Sequence, residues 1–124
     1  MKKDEKKTSN KNFFDALVNA INGIWYTIKT QRNIKIQIFV TLVVIVAGIY
    51  FKLTRVEFML LSFACGLVLV TEMVNTAIES AVNLSTSEFH PIAKIAKDVG
   101  AGSVLVASLN AVIVGCFLFF EKIF

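Results

Sequence analysis

One proline, two cysteines and one histidine are spread over 124 residues. A single proline beside eleven phenylalanines fits helices in lipid better than a soluble core. Cys65 and Cys116 each sit inside an apolar run. Neither has metal-ligand spacing, and a disulfide framework needs a soluble, oxidising setting, so both read as small packing residues. The first 12 residues are too polar to contain the apolar core of a cleavable signal peptide, and none is expected. The Gly-x-x-x-x-Gly-Lys-Ser/Thr loop and the protein-kinase motif set are both missing, which excludes those nucleotide-binding folds. There is no internal repeat. No charged residue falls near the middle of an apolar run, which speaks against a transporter.

What remains is strongly apolar. Hydrophobic residues make up 56% of the chain and mean hydropathy is +0.68. The length suits one domain. The net charge is +4, and eight of the 13 Lys and Arg precede residue 36. In a chain this apolar, that bias reads as membrane topology and attraction to anionic headgroups, and no nucleic-acid partner is expected.

The chain is organised around the stretch from Glu72 to Asn83. At about 100° per residue, Glu72, Asn75, Glu79 and Asn83 fall within roughly 80° of one another on a helix. Thr76 lies on the same side. Two carboxylates and two carboxamides in one stripe do not belong on a lipid-facing surface. They serve either as polar glue between helices or as a site for a cation and its anionic ligand.

In chain order, residues 1–12 form a charged tail expected to be disordered. Over 13–30, Phe13, Phe14, Leu17, Ile21, Ile24, Trp25 and Ile28 recur at helical spacing among polar residues. This predicts an amphipathic helix in the membrane interface. Spans are expected over about 34–51, 56–82 and 91–120, with a turn marked by Lys52, Arg55 and Glu57 and a loop over 84–90. Glu72 then lies about 24 Å along the second span from Val56, near the far membrane boundary. Pro91 suits the first position of the last helix, where its missing N–H costs nothing. Gly100-Ala-Gly102-Ser103 would let another helix approach closely, and Asn110 reads as an interhelical hydrogen bond. The basic N-terminal segment predicts a cytoplasmic N-terminus. With three spans, the 83–98 loop and the polar stripe share that side.

Carboxylates beside amides and a lysine at a membrane boundary suit Mg²⁺ and a phosphorylated ligand. Mg²⁺ often takes one or two carboxylates plus substrate phosphates. Lys97 offers a point charge to phosphate. A boundary carboxylate can take a proton from a lipid hydroxyl. Phosphoryl transfer needs mainly charge neutralisation, alignment and a base.

Two motifs make the chain resemble the small prokaryotic integral-membrane diacylglycerol kinase family, in its Gram-positive branch that includes undecaprenol kinases. They are Glu72-x-x-Asn75-Thr-Ala-Ile-Glu79 and Ala93-Lys-Ile-Ala-Lys97-Asp98-x-Gly-Ala-Gly-Ser-Val-Leu-Val-Ala. Gly23-Ile24 and Gln31-Arg32-Asn33 support the resemblance, which covers roughly 13–120. It implies an all-α membrane protein with three transmembrane helices behind an amphipathic N-terminal surface helix. It also implies a homotrimer in a bacterial plasma membrane, with sites shared between subunits and facing the cytoplasm. ATP with Mg²⁺ is the implied donor and a lipid alcohol the acceptor, undecaprenol ahead of diacylglycerol. By motif position Glu72 is the implied general base. Glu79 is an implied metal ligand that also contacts the nucleotide. Asn75, Glu88, His90, Lys97 and Asp98 match nucleotide positions. Asn19 matches one too, where relatives often carry an aromatic residue.

Two departures stand out. Gln31 occupies the place of a second metal-ligating, nucleotide-contacting Glu, and Asn83 the place of an Asp. Gln31 keeps an oxygen for Mg²⁺ but not the charge. These departures favour the alternative to a lipid kinase, a catalytically weakened or inactive member acting in membrane assembly or lipid binding. Intact Glu72, Asn75, Glu79, Lys97 and Asp98 argue for the enzyme.

Overall fold

The structure is a computed structural model and describes residues 12–124. The expected N-terminal tail therefore lies outside the described residues, apart from Asn12. The described residues form four helices: α1 (Phe13–Thr30), α2 (Arg32–Tyr50), α3 (Arg55–Ser85) and α4 (Pro91–Ile123). They divide into two compact units, one ending at Arg32 and one running Asn33–Phe124.

In the first unit, the Asn12 side chain caps α1 by accepting from the Asp15 amide at 3.0 Å. This satisfies one of the four amides that a helix start leaves unpaired. Phe13, Phe14, Ile21 and Trp25 are exposed along α1. Gln31 ends the helix in an extended conformation, its N–H still bonded to the Thr27 carbonyl at 2.9 Å.

In the second unit α3 and α4 form the closest helix pair. All three of its helices are long and apolar enough to cross a membrane, and they expose Phe39, Val46, Phe63, Leu105 and Phe117 around their outer faces. In water such surface is a liability; in hydrocarbon it is the expected lining.

One end of this unit is tied tightly. The turn after α2 closes with Lys52 N–H on the Ile49 carbonyl and Leu53 N–H on the Gly48 carbonyl. That paired pattern is the Schellman cap, which places a left-handed residue just past the helix. Lys52 is that residue, with φ 57°. Thr54 then caps α3 reciprocally: Glu57 N–H donates to Thr54 Oγ1 at 3.2 Å, and Thr54 N–H to Glu57 Oε1 at 2.8 Å. Glu57 also pairs with Lys122 at 3.3 Å, joining the start of α3 to the end of α4. Beneath these bonds Leu53, Leu61 and Leu118 are buried with Val44, Phe58 and Phe119 packed against them. Gly48 lets this end close, because a Cβ there would meet the Phe58 ring at 2.9 Å.

The span boundaries differ from expectation by up to three residues, the first span starting at Arg32 and the last ending at Ile123. Glu57, which marks the turn and opens the expected second span, lies in the first turn of α3, where its carboxylate completes the cap. The helix also runs past residue 83 to Ser85, with the Thr86 N–H bonded to the Val82 carbonyl at 3.1 Å.

The strained φ at Lys52 gives a direct test. A left-handed conformation costs a non-glycine residue about 1–2 kcal/mol. Part of that gain is lost to the greater freedom of glycine in the unfolded chain. Lys52→Gly is therefore expected to stabilise the detergent-solubilised protein by about 1 kcal/mol. A thermal or denaturant midpoint at or below that of the parent would contradict the assignment.

Candidate active site

The polar stripe on α3 changes character along its length. Glu72 is 3% exposed, Asn75 8% and Thr76 6%, all against neighbouring helices. Glu79, one turn further, is half-buried, and Asn83 is exposed. The stripe thus begins in the protein interior and ends in the open.

The buried part is held by short-range bonds. Thr76 donates its hydroxyl to the Glu72 carbonyl at 3.0 Å, keeping its own polarity inside the helix. Gln37, on α2, donates from Nε2 to Glu72 Oε1 at 3.1 Å. A carboxylate buried in apolar surroundings needs such a donor. Two acceptors in this region have no donor: Gln37 Oε1 and Asn75 Oδ1 are both buried and unpartnered. The Asn75 oxygen lies against Gly100 of α4, so closely that a Cβ on Gly100 would collide with it. The small-residue stretch on α4 therefore does bring two helices together, at Gly100; Gly102 faces open space.

The open part is a cleft of about 650 Å³ between the end of α3 and the start of α4. Asn83, Glu88, His90, Lys97 and Asp98 all line it. His90 caps α4, its Nδ1 accepting from the Ile92 amide at 3.1 Å, with Pro91 in the first helical position. Asp98 pairs with Lys94 at 2.6 Å rather than with Lys97. That pair is widely exposed, so its contribution to stability is small. It leaves the half-buried Lys97 without that carboxylate as a partner, and able to meet an anion.

An apolar groove of about 400 Å³ lies between α2 and α3, with Thr41, Phe58, Cys65, Gly66 and Leu69 in its walls. Thr41 and Leu69 are each one turn from Gln37 and Glu72 respectively, so the groove stops about one turn short of that pair.

The expected site residues thus fall into three groups. Glu72 and Asn75 are buried between helices. Glu88, His90, Lys97 and Asp98 share the cleft, and Glu79 stands on α3 between these groups. Asn19, exposed on α1, and Gln31, half-buried at its end, belong to the other unit. Gln37 was not among the residues read from the sequence. Its signal is a carboxamide inside the apolar run of α2, where an unpaired one would be costly.

No three of His, Cys, Asp and Glu come together as a metal centre among the described residues. Glu79 stands in helical register with the unpartnered Asn75 oxygen, so a carboxylate and an amide oxygen share one side of α3. That donor set fits an ion arriving with its own phosphates better than a resident one.

A family profile for prokaryotic diacylglycerol kinase matches residues 18–119. An undecaprenol kinase from Bacillus subtilis is 36% identical over 121 residues, 98% of each chain. A diacylglycerol kinase from Synechocystis is 43% identical over 94 residues, 75% of this chain and 54% of its own length. One from Helicobacter pylori is 34% identical over 99 residues, 77% of this chain and 75% of its own. The profile spans Glu72, the cleft and nearly all of the three long helices: this chain belongs to the prokaryotic diacylglycerol kinase family.

Proposed function

We propose that this membrane lipid kinase transfers the γ-phosphoryl group of ATP to undecaprenol. The observation that carries the choice of acceptor is the alignment to an undecaprenol kinase over 98% of both chains. The diacylglycerol kinases align over less of this chain.

The roles are those the family motifs imply, and the position of each side chain is compatible with them. The lipid chain occupies the groove between α2 and α3, its hydroxyl directed at Glu72. Glu72 takes the hydroxyl proton as general base. The lipid oxygen then bonds to the γ-phosphorus while the bond from that phosphorus to the bridging oxygen breaks, ADP keeping the electron pair. The cleft between α3 and α4 receives the nucleotide, with Lys97 on its phosphates and Glu88, His90 and Asp98 around it. Mg²⁺ arriving with ATP would be held by Glu79 and Gln31, and supplies neutralisation of phosphate charge. The α1 helix lies in the membrane interface on the cytoplasmic side of a bacterial plasma membrane, and Asn19 is a nucleotide-contacting residue by its match to the family. Three copies form the working unit, since one set of three spans offers little interior for a nucleotide and a lipid together.

The test is transfer of radiolabel from ATP by purified protein, with undecaprenol and diacylglycerol supplied separately. Labelled undecaprenyl phosphate as the main product is expected. Label in diacylglycerol alone reassigns the acceptor; label in neither rejects the kinase reading.

Gln31 provides a second test. Mg²⁺ favours charged oxygens, and Gln31 supplies a neutral one. Gln31→Glu is expected to shift the Mg²⁺ activation curve to lower metal concentration. Superimposable curves would remove Gln31 from the metal site.

A further inference from the structure

The Gln37 carboxamide meets Glu72 with one of its two polar atoms and leaves the other buried with nothing to bind. Nε2 donates to Glu72 Oε1 at 3.1 Å, while Oε1 of Gln37 has no donor. The orientation follows from chemistry, because an ionised carboxylate only accepts hydrogen bonds. The two polar atoms of an amide sit on one carbon, so both can meet the same partner. An ionised carboxylate can engage only the N–H half. A protonated carboxyl group can engage both halves, accepting from Nε2 and donating to Oε1 in a closed ring. Gln37 is therefore better matched to Glu72 after Glu72 has received a proton than before.

We propose that Gln37 is a positioning residue for the base: it aims the Glu72 carboxylate and then accepts the hydrogen bond of the carboxyl that proton transfer creates. The inference rests on Glu72 acting as the base. In the balanced step the lipid O–H breaks and its proton binds Glu72. The same proton then fills the unpartnered Gln37 oxygen as the lipid oxygen bonds to phosphorus and ADP departs. Interactions made more strongly in the transition state than in the ground state raise turnover rather than affinity. Gln37 makes one bond to the resting base and two to its product.

The test compares Gln37→Met, similar in length but without donor or acceptor, with the parent and with Glu72→Gln. Gln37→Met is expected to lower kcat about 10- to 100-fold, as loss of alignment does, with KM for ATP within about twofold. Combined with Glu72→Gln it should cause no further loss, because a residue acting through Glu72 has nothing left to act through. Parent-like turnover would overturn the proposal. So would a raised KM with kcat retained, or a further tenfold loss in the Glu72→Gln background. If Gln37→Met fails to fold, Gln37→Ala enters the same cycle under the same criteria. Phosphate transfer by the parent protein is measured alongside. Its absence would reject the kinase reading itself, whereas parent activity with an indifferent Gln37 would reject this inference alone.

Discussion

Glu72→Gln is expected to lower turnover by about 10²–10⁴-fold, the usual cost of losing a general base. The substitution keeps the length and shape of the side chain, and its carbonyl can still accept from Gln37. What it removes is the ability to hold a proton. Nucleotide affinity should stay close to that of the parent, because the cleft lined by Lys97 and Asp98 lies beyond the buried Glu72. Lys97→Ala should do the reverse, weakening ATP binding first. Steady-state kinetics with ATP varied, together with direct nucleotide binding, separate the two. Parent-like turnover in Glu72→Gln would dismiss the base assignment, and a matching loss of ATP affinity would make Glu72 a binding residue.

The second large effect concerns two glycines that the sequence presents as equivalents. Gly100→Ala drives a methyl group into the Asn75 oxygen, whereas Gly102→Ala meets nothing within 4 Å. Alanine favours a helix over glycine by about 1 kcal/mol, so both changes begin with the same gain. At Gly100 overpacking costs about 1–3 kcal/mol and should reverse it. Asn75 is buried and short, so it has little freedom to yield. Its displacement should disturb Glu72, one turn away, and reduce activity along with stability. Gly102→Ala is expected to be neutral or mildly stabilising with activity kept. Unfolding midpoints and transfer rates for the pair decide it. Equal behaviour would mean that the Asn75–Gly100 approach does not govern how α3 meets α4.

That contrast shows where sequence reasoning stops. Hydrophobic periodicity identifies the face on which Glu72, Asn75, Glu79 and Asn83 lie, and the structure keeps them in helical register along α3. Periodicity carries no information on depth, so it does not separate buried Glu72 from exposed Asn83. The three spans were legible because length and hydropathy are local quantities, as was Pro91 at the start of α4. The partner of Glu72 was not legible. Gln37 is 35 residues away, and only the folded arrangement brings the two together. Lys52 in a left-handed turn was equally hidden, since glycine or asparagine is the usual sign of that conformation. Asp98 lines the cleft, and its ion pair with Lys94 is legible in their spacing of four on a helix.

The capped turn around Lys52 and Thr54 has a mechanical consequence. Backbone bonds, a reciprocal cap, the Glu57–Lys122 pair and a leucine cluster all clamp the same end of the three long helices. At the opposite end Gln37 and Asn75 carry unpartnered acceptors, and the cleft opens between α3 and α4, which the connection after Ser85 joins. The turn at Lys52 is thus the fixed junction of α2 with α3, and beyond it the Gln37–Glu72 bond is the one side-chain hydrogen bond between those two helices among the described residues. Over the 19 residues of α2, a small change of angle at that junction becomes a larger displacement at the helix's far end. Parting α2 from α3 at that far end would widen the apolar groove between them while the junction keeps its side chains in place.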